Sequence, residues 1–164
     1  MFEVKTMRHR LVFLALLLAG GPAQAAPLPA TALLEAHNRA RAEVGAPPLS
    51  WSEGAAAQAR RWAAILAGRC LLEHSQGSGF GENLFMGTLG FYDELDGVRA
   101  WEEEKKHYAG QPLTRAMAPV VGHYTQMIWP TTRELGCATS RCSGNLILVC
   151  NYFPPGNYLG ESAY

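Results

Sequence analysis

The last third of the chain limits what the whole can become. Residues 133–140 and 146–152 are extended-type runs, and Arg141-Cys142-Ser143-Gly144-Asn145 between them has turn composition. A hairpin centred on Ser143-Gly144 sets Cys142 against Asn145 and, five steps further out, Cys137 against Cys150. Directly opposed cysteines have their Cα atoms at bridgeable separation. That pairing leaves Cys70 for Cys142, which would tie the middle of the chain to the hairpin turn.

Upstream the signal is helical. Leu33, Leu34, His37, Ala40, Arg41 and Val44 recur at helical spacing, which predicts a helix over 31–44 with Thr31 as its cap and Gly45 at its end. Ala46-Pro47-Pro48-Leu49 forces an extended link. Ser50-Trp51-Ser52-Glu53 has the pattern of a capping box and predicts a second helix to Ala67, with Ala55, Ala59, Trp62, Ile65 and Leu66 inward and Gly68 as its stop. Residues 69–90 read as loop and short strand, since Gln76 to Gly81 is too glycine-rich for helix. A third helix is expected over 92–108 on the stripe Leu95, Val98, Trp101 and Tyr108, and a short one over 122–129. Helices first and strands later indicate an α+β fold.

The first residues read as a leader. Lys5, Arg8 and Arg10 precede the apolar run 11–19, and Ala23-Gln24-Ala25 supplies a small-residue cleavage site, as in a secretory signal peptide (residues 1–25). The run is shorter than the roughly 20 apolar residues of a membrane span, so no transmembrane anchor is expected after cleavage. Met7 is an alternative start. Removing 25 of 164 residues leaves 139, residues 26–164, enough for one domain with its own core and expected to be a monomer. The leader holds three basic residues and one acidic, so 14 of each falls to 11 Lys/Arg and 13 Asp/Glu. That balance gives no electrostatic reason to expect nucleic acid. All four cysteines lie beyond the leader, and an even count points to two disulfides and a secreted or periplasmic location.

Two stretches carry a family likeness. Gly122-His123-Tyr124-Thr125-Gln126, leading on to Cys137, and Cys150-Asn151-Tyr152-Phe153-Pro154-Pro155-Gly156-Asn157 resemble the two signature motifs of the CAP superfamily. That superfamily takes in cysteine-rich secretory proteins, antigen 5 and the plant pathogenesis-related proteins of group one. His37-Asn38-x-x-Arg41, Pro48-Leu49-x-Trp51 and Gly81-Glu82-Asn83-Leu84 extend the likeness over essentially the whole mature chain. The resemblance implies a three-layer α-β-α sandwich with a central antiparallel sheet and a large cleft in which two histidines and two glutamates converge. It places His123, Glu82 and His74 in that cleft, and its cysteine arrangement implies the same two disulfides. The second glutamate is chosen among Glu102, Glu103 and Glu104. At about 100° per residue Glu104 lies nearest to Trp101, roughly 60° away, and the family pattern selects the same residue. The cysteine pair that plant-type relatives carry before the Gly-His-Tyr segment is absent, so the 111–121 loop should be less tightly tied.

Two neutral imidazoles beside carboxylates suit a divalent metal, zinc above others, with His74 and His123 as ligands. Two histidines leave the shell incomplete, and no His-Glu-x-x-His helix is present. The same four residues could equally satisfy one another by charge-assisted hydrogen bonds and organise the cleft. Ser75 and Ser78 lack the Gly-x-Ser-x-Gly context of a hydrolase nucleophile. No catalytic residue and no cofactor is established on these grounds. The expected function is an exported binding or interaction module whose ligand is a small molecule, a lipid or sterol-like molecule, or a cell-envelope component. The alternative is a metal-dependent hydrolase with a glutamate as general base. His37 reads as a core histidine, His107 as an exposed one, and Asn38 and Arg41 as contacts to later loops.

Overall fold

The computed structural model describes residues 28–164; the leader, its cleavage after Ala25 and the alternative start at Met7 lie outside the described residues. β3 (Glu134–Cys142) and β4 (Asn145–Phe153) form the expected hairpin. Its two turn residues, Ser143 (φ 45°) and Gly144 (φ 78°), are both left-handed, the conformation whose twist matches that of paired strands. The register opposes Cys137 to Cys150, and disulfides join Cys137 to Cys150 and Cys70 to Cys142. Both expected pairings are therefore present.

β4 is paired on both sides. β2 (Gly81–Thr88) runs antiparallel along its other edge, and β1 (Ser50–Trp51) lies parallel to β3, giving the order β1-β3-β4-β2. The sheet is thus antiparallel except for the two-residue β1. α2 (Glu53–Arg69) covers one face, where Ala59, Ala63 and Leu66 meet Leu84, Ala138, Ile147 and Val149. Small residues let it come close: a Cβ on Gly136 would collide with the backbone of Ala55 and Ala56. α1 (Ala30–Glu43), α3 (Glu94–Glu102) and α4 (Ala118–Ile128) cover the other face, packing on Leu135, Cys137, Leu148, Cys150 and Tyr152. Each fully buried aliphatic side chain in these two layers contributes about 1.5–3 kcal/mol.

Several local expectations are corrected. α1 starts at Ala30 with no side-chain cap, and Thr31 is exposed inside it. Ser50 does not cap α2: it lies in β1, with its N–H donating to the Arg133 carbonyl, and the helix starts only at Glu53. Ser52 caps instead, accepting from the Ala55 amide at 3.4 Å. Gly68 does not stop the helix; Cys70 takes the left-handed cap conformation (φ 50°) and is held there by its disulfide. Ile65 is half exposed, and Ala56 and Ala63 point inward in its place. The third helix begins later than expected, behind a capping box of Asp93 and Asp96, and tightens into a 3₁₀ turn over Glu103–His107. α4 begins four residues before Gly122, with Pro119 in its first turn, where a missing N–H is harmless.

Buried Arg41 fastens α1 to the end of α4. Its Nε donates to the Pro47 carbonyl at 2.6 Å, and its terminal nitrogens donate to the carbonyls of Met127, Trp129 and Thr132 at 2.9–3.0 Å. The last carbonyls of a helix have no partner within it, and a guanidinium is a suitable cap. Asn38 does the same for the proline link, exchanging both amide bonds with the Leu49 backbone.

Candidate functional site

Successive residues of a strand point to opposite faces, and β2 uses this at its first turn. Glu82 shares the α2 face with Leu84, whereas Asn83 shares the opposite face with Phe85. Each of the two serves a different histidine.

Glu82 holds the loop between α2 and β2. Its Oε1 accepts from His74 Nδ1 and from the Ser75 amide, both at 2.9 Å, and its Oε2 accepts from the Ser75 hydroxyl at 2.8 Å. The carboxylate is nearly enclosed, its side chain 5% exposed, while the His74 ring is 58% exposed. Ser75 Oγ is therefore spent on a carboxylate and is not paired with an imidazole. Ser78 Oγ accepts from the Phe80 amide.

Glu104 does the corresponding work for His123. It accepts from His123 Nδ1 at 2.6 Å, the His123 amide at 2.9 Å and the Tyr124 amide at 3.1 Å. Trp101 stacks on the same ring, centroids 6.0 Å apart and planes 18° from parallel. Trp101 lies at the end of α3 and Glu104, three residues on, in the 3₁₀ turn that continues it, and both reach His123. Asn83 closes the arrangement by donating to the His123 carbonyl and to the Tyr152 hydroxyl, each at 3.0 Å.

An ionised carboxylate only accepts, so in both pairs Nδ1 carries the proton and Nε2 is left as the ring's outward nitrogen. Among the described residues neither Nε2 has a hydrogen-bond partner. His74, Glu82 and Asn83 line a pocket of about 240 Å³ together with Pro119, His123 and Asn157. Glu104 does not line it; it lies behind His123 and orients the ring. Among the described residues no group of three or more His, Cys, Asp and Glu is placed to hold a metal ion.

Three contributors escaped the sequence reading. Asn157 donates to the Gly122 carbonyl at 2.7 Å and accepts from Thr125 at 2.7 Å, fixing the turn that carries His123. Asn83 and Asn157 both sit inside the family motifs, which was the available signal; Trp101 was visible only as a core residue. His37 stays out of the pocket. Its Nδ1–H donates to the Leu33 carbonyl and its Nε2 accepts from Tyr152, both at 2.8 Å. Burial pushes its pKa down to about 4, so it is a neutral core residue. His107 is exposed on the 3₁₀ turn.

The sequence profile of the Cysteine-rich secretory protein family, CAP, matches residues 34–152. The chain belongs to this family. This CAP chain is 46% identical over 132 residues to pathogenesis-related protein 1A of Nicotiana tabacum, covering 80% of this chain and 78% of that one. It is 43% identical over 132 residues to pathogenesis-related protein 1 of Arabidopsis thaliana, covering 80% of each. Among solved structures, NaASP2 with Zn2+ superposes with a TM-score of 0.69 at 28% identity, over 82% of this chain and 83% of that one. Na-ASP-1 superposes with a TM-score of 0.70 at 28% identity; the match covers 82% of this chain and only 40% of Na-ASP-1.

Proposed function

We propose that this CAP protein is an exported binding module, secreted or periplasmic, whose pocket takes a small polar ligand or the headgroup of a lipid or cell-envelope component. The observation that carries this reading is the state of the two carboxylates. Glu82 and Glu104 each accept three hydrogen bonds in holding His74 and His123. A general base must reach water in the pocket; Glu104 lies outside the lining, and Glu82 is nearly enclosed, with three of a carboxylate's roughly four acceptor sites filled. The metal-dependent hydrolase is therefore the less supported reading. Two disulfides in a chain of this size favour an oxidising compartment.

Zinc fits the same residues in part. His74 and His123 would hold it through Nε2, and the Nδ1–H to carboxylate contact behind each ring is the arrangement that orients imidazole ligands. Bound there, it would supply a Lewis-acidic cation with positions open to a ligand oxygen or water. The crystal structure of NaASP2 with Zn2+, a protein of the same fold, supports this reading. Thermal melts with and without zinc test it. Saturation to about 100 times the dissociation constant should add about 2.7 kcal/mol, and the gain should vanish in His74→Ala/His123→Ala while the fold survives. A zinc response unchanged in that double variant would refute the site. Turnover of any substrate that disappears in Glu82→Gln would favour the hydrolase.

A further inference from the structure

Asn151 is fully buried in β4, and among the described residues neither its Oδ1 nor its Nδ2 has a hydrogen-bond partner. A buried polar atom left unpaired costs about 1–3 kcal/mol, and folded proteins seldom tolerate two on one side chain. The register identifies what surrounds this amide. Asn151 stands opposite Glu82 on one side and Gly136 on the other. Opposed residues project from the same face, here the face covered by α2. Gly136 contributes no side chain, and the first turn of α2 closes over it, with the Ser52 carbonyl oxygen 2.6 Å from where a Cβ would stand. The amide therefore sits between a carboxylate and the entry of a helix.

Opposed Cβ atoms in an antiparallel pair are about 4.5–5.5 Å apart, a gap that polar side chains commonly bridge through water. A buried water needs two to four polar partners. The Asn151 amide, the Ser52 carbonyl and Glu82 can supply them, since Glu82 Oε2 accepts only one hydrogen bond, from Ser75. We propose that Asn151 anchors internal water that accepts from its Nδ2–H and donates to Glu82, making Asn151 a positioning residue for the Glu82–His74 pair. Held from Ser75 on the loop side and from hydrated Asn151 on the sheet side, the carboxylate keeps a single orientation and so keeps the His74 proton on Nδ1. The Glu104–His123 pair has no such support, being fixed by α4 amides.

The inference rests on the reading of His74 as half of the binding site, but its tests involve no ligand and so separate its failure from the failure of that reading. A crystal structure of the unaltered protein at about 1.2 Å should show ordered water within hydrogen-bonding distance of both Asn151 and Glu82. A dry amide, or water that does not reach Glu82, overturns the proposal. Long-range 15N–1H spectra supply the second readout, the His74 tautomer ratio. Asn151→Leu, of similar size and without hydrogen bonds, should lower the ratio of Nδ1–H to Nε2–H at His74 about fivefold and leave His123 unchanged. Asn151→Ser, which keeps a polar atom for the water, should restore most of it. An unchanged His74 ratio in Asn151→Leu, or an equal loss at both histidines, overturns the proposal. The crystallographic test stands whether or not the leucine variant folds.

Discussion

Acidification should weaken the protein through His37. The ring is fully buried between the Leu33 carbonyl and the Tyr152 hydroxyl. Burial lowers its pKa from 6.5 to about 4, with the Leu33 bond opposing the shift and the Arg41 charge adding to it. Because the folded value lies below the unfolded one, the unfolded chain takes up the proton first as pH falls. Stability is therefore complete above about 6.5, declines between 6.5 and 4, and by about pH 4 has lost roughly 3 kcal/mol, at 1.36 kcal/mol per unit. Urea unfolding measured at about pH 7, 5.5 and 4 tests this against His37→Gln, whose amide can still donate and accept but does not titrate. The parent should lose about 3 kcal/mol more than the variant across that range. The offset between the two proteins at neutral pH is immaterial, since only the difference in slope reports the imidazole. Parallel slopes would refute the reasoning.

Two further outcomes follow from the way the elements are fastened. Arg41→Met strips charged donors from the carbonyls of Pro47, Met127, Trp129 and Thr132 and should cost about 3–5 kcal/mol, read as a lower urea midpoint at constant m. Arg41→Lys should recover little, because one ammonium cannot reproduce the fork. Replacing Cys70 and Cys142 by serine opens a link between residues 72 apart in sequence. On loop entropy alone it should destabilise by about 4 kcal/mol. A loss under about 1 kcal/mol in calorimetry would mean that the folded contacts of the 71–80 loop, not the cross-link, hold it in place.

The hairpin was readable because cysteine positions and turn composition constrain one another: a register shifted by one residue would have separated Cys137 from Cys150. β2 was harder to read. Gly81 opens a strand whose glycine-rich approach looks like loop, and only pairing with β4 reveals its eight-residue length. The misassigned cap of α2 has the same origin, since Ser50 lies in β1, bonded to Arg133 in a tertiary contact that local patterning does not contain. Glu104 was picked out on α-helical geometry, yet the chain there is 3₁₀. Trp101 lies at the end of the α-helical part and Glu104 in the 3₁₀ turn that follows, and both reach His123. His74 had only sequence position to recommend it; what holds its ring is the chelation of Glu82 by Ser75, one residue on.

Glu82 and Asn83 are neighbours in the chain, yet they serve the two histidines from opposite sides of the sheet. The backbone anchors of the two halves of the pocket are thus a single step of pleat apart. Insertion or deletion of one residue before Leu84 would exchange the faces, sending the carboxylate toward Tyr152 and the amide toward Ser75. Loop changes between Cys70 and Gly79 that spare His74 and Ser75 leave those anchors untouched, so the loop's outer surface can vary around the same two imidazoles. Ligand preference would then diverge through the rim of the pocket, with its floor inherited unchanged.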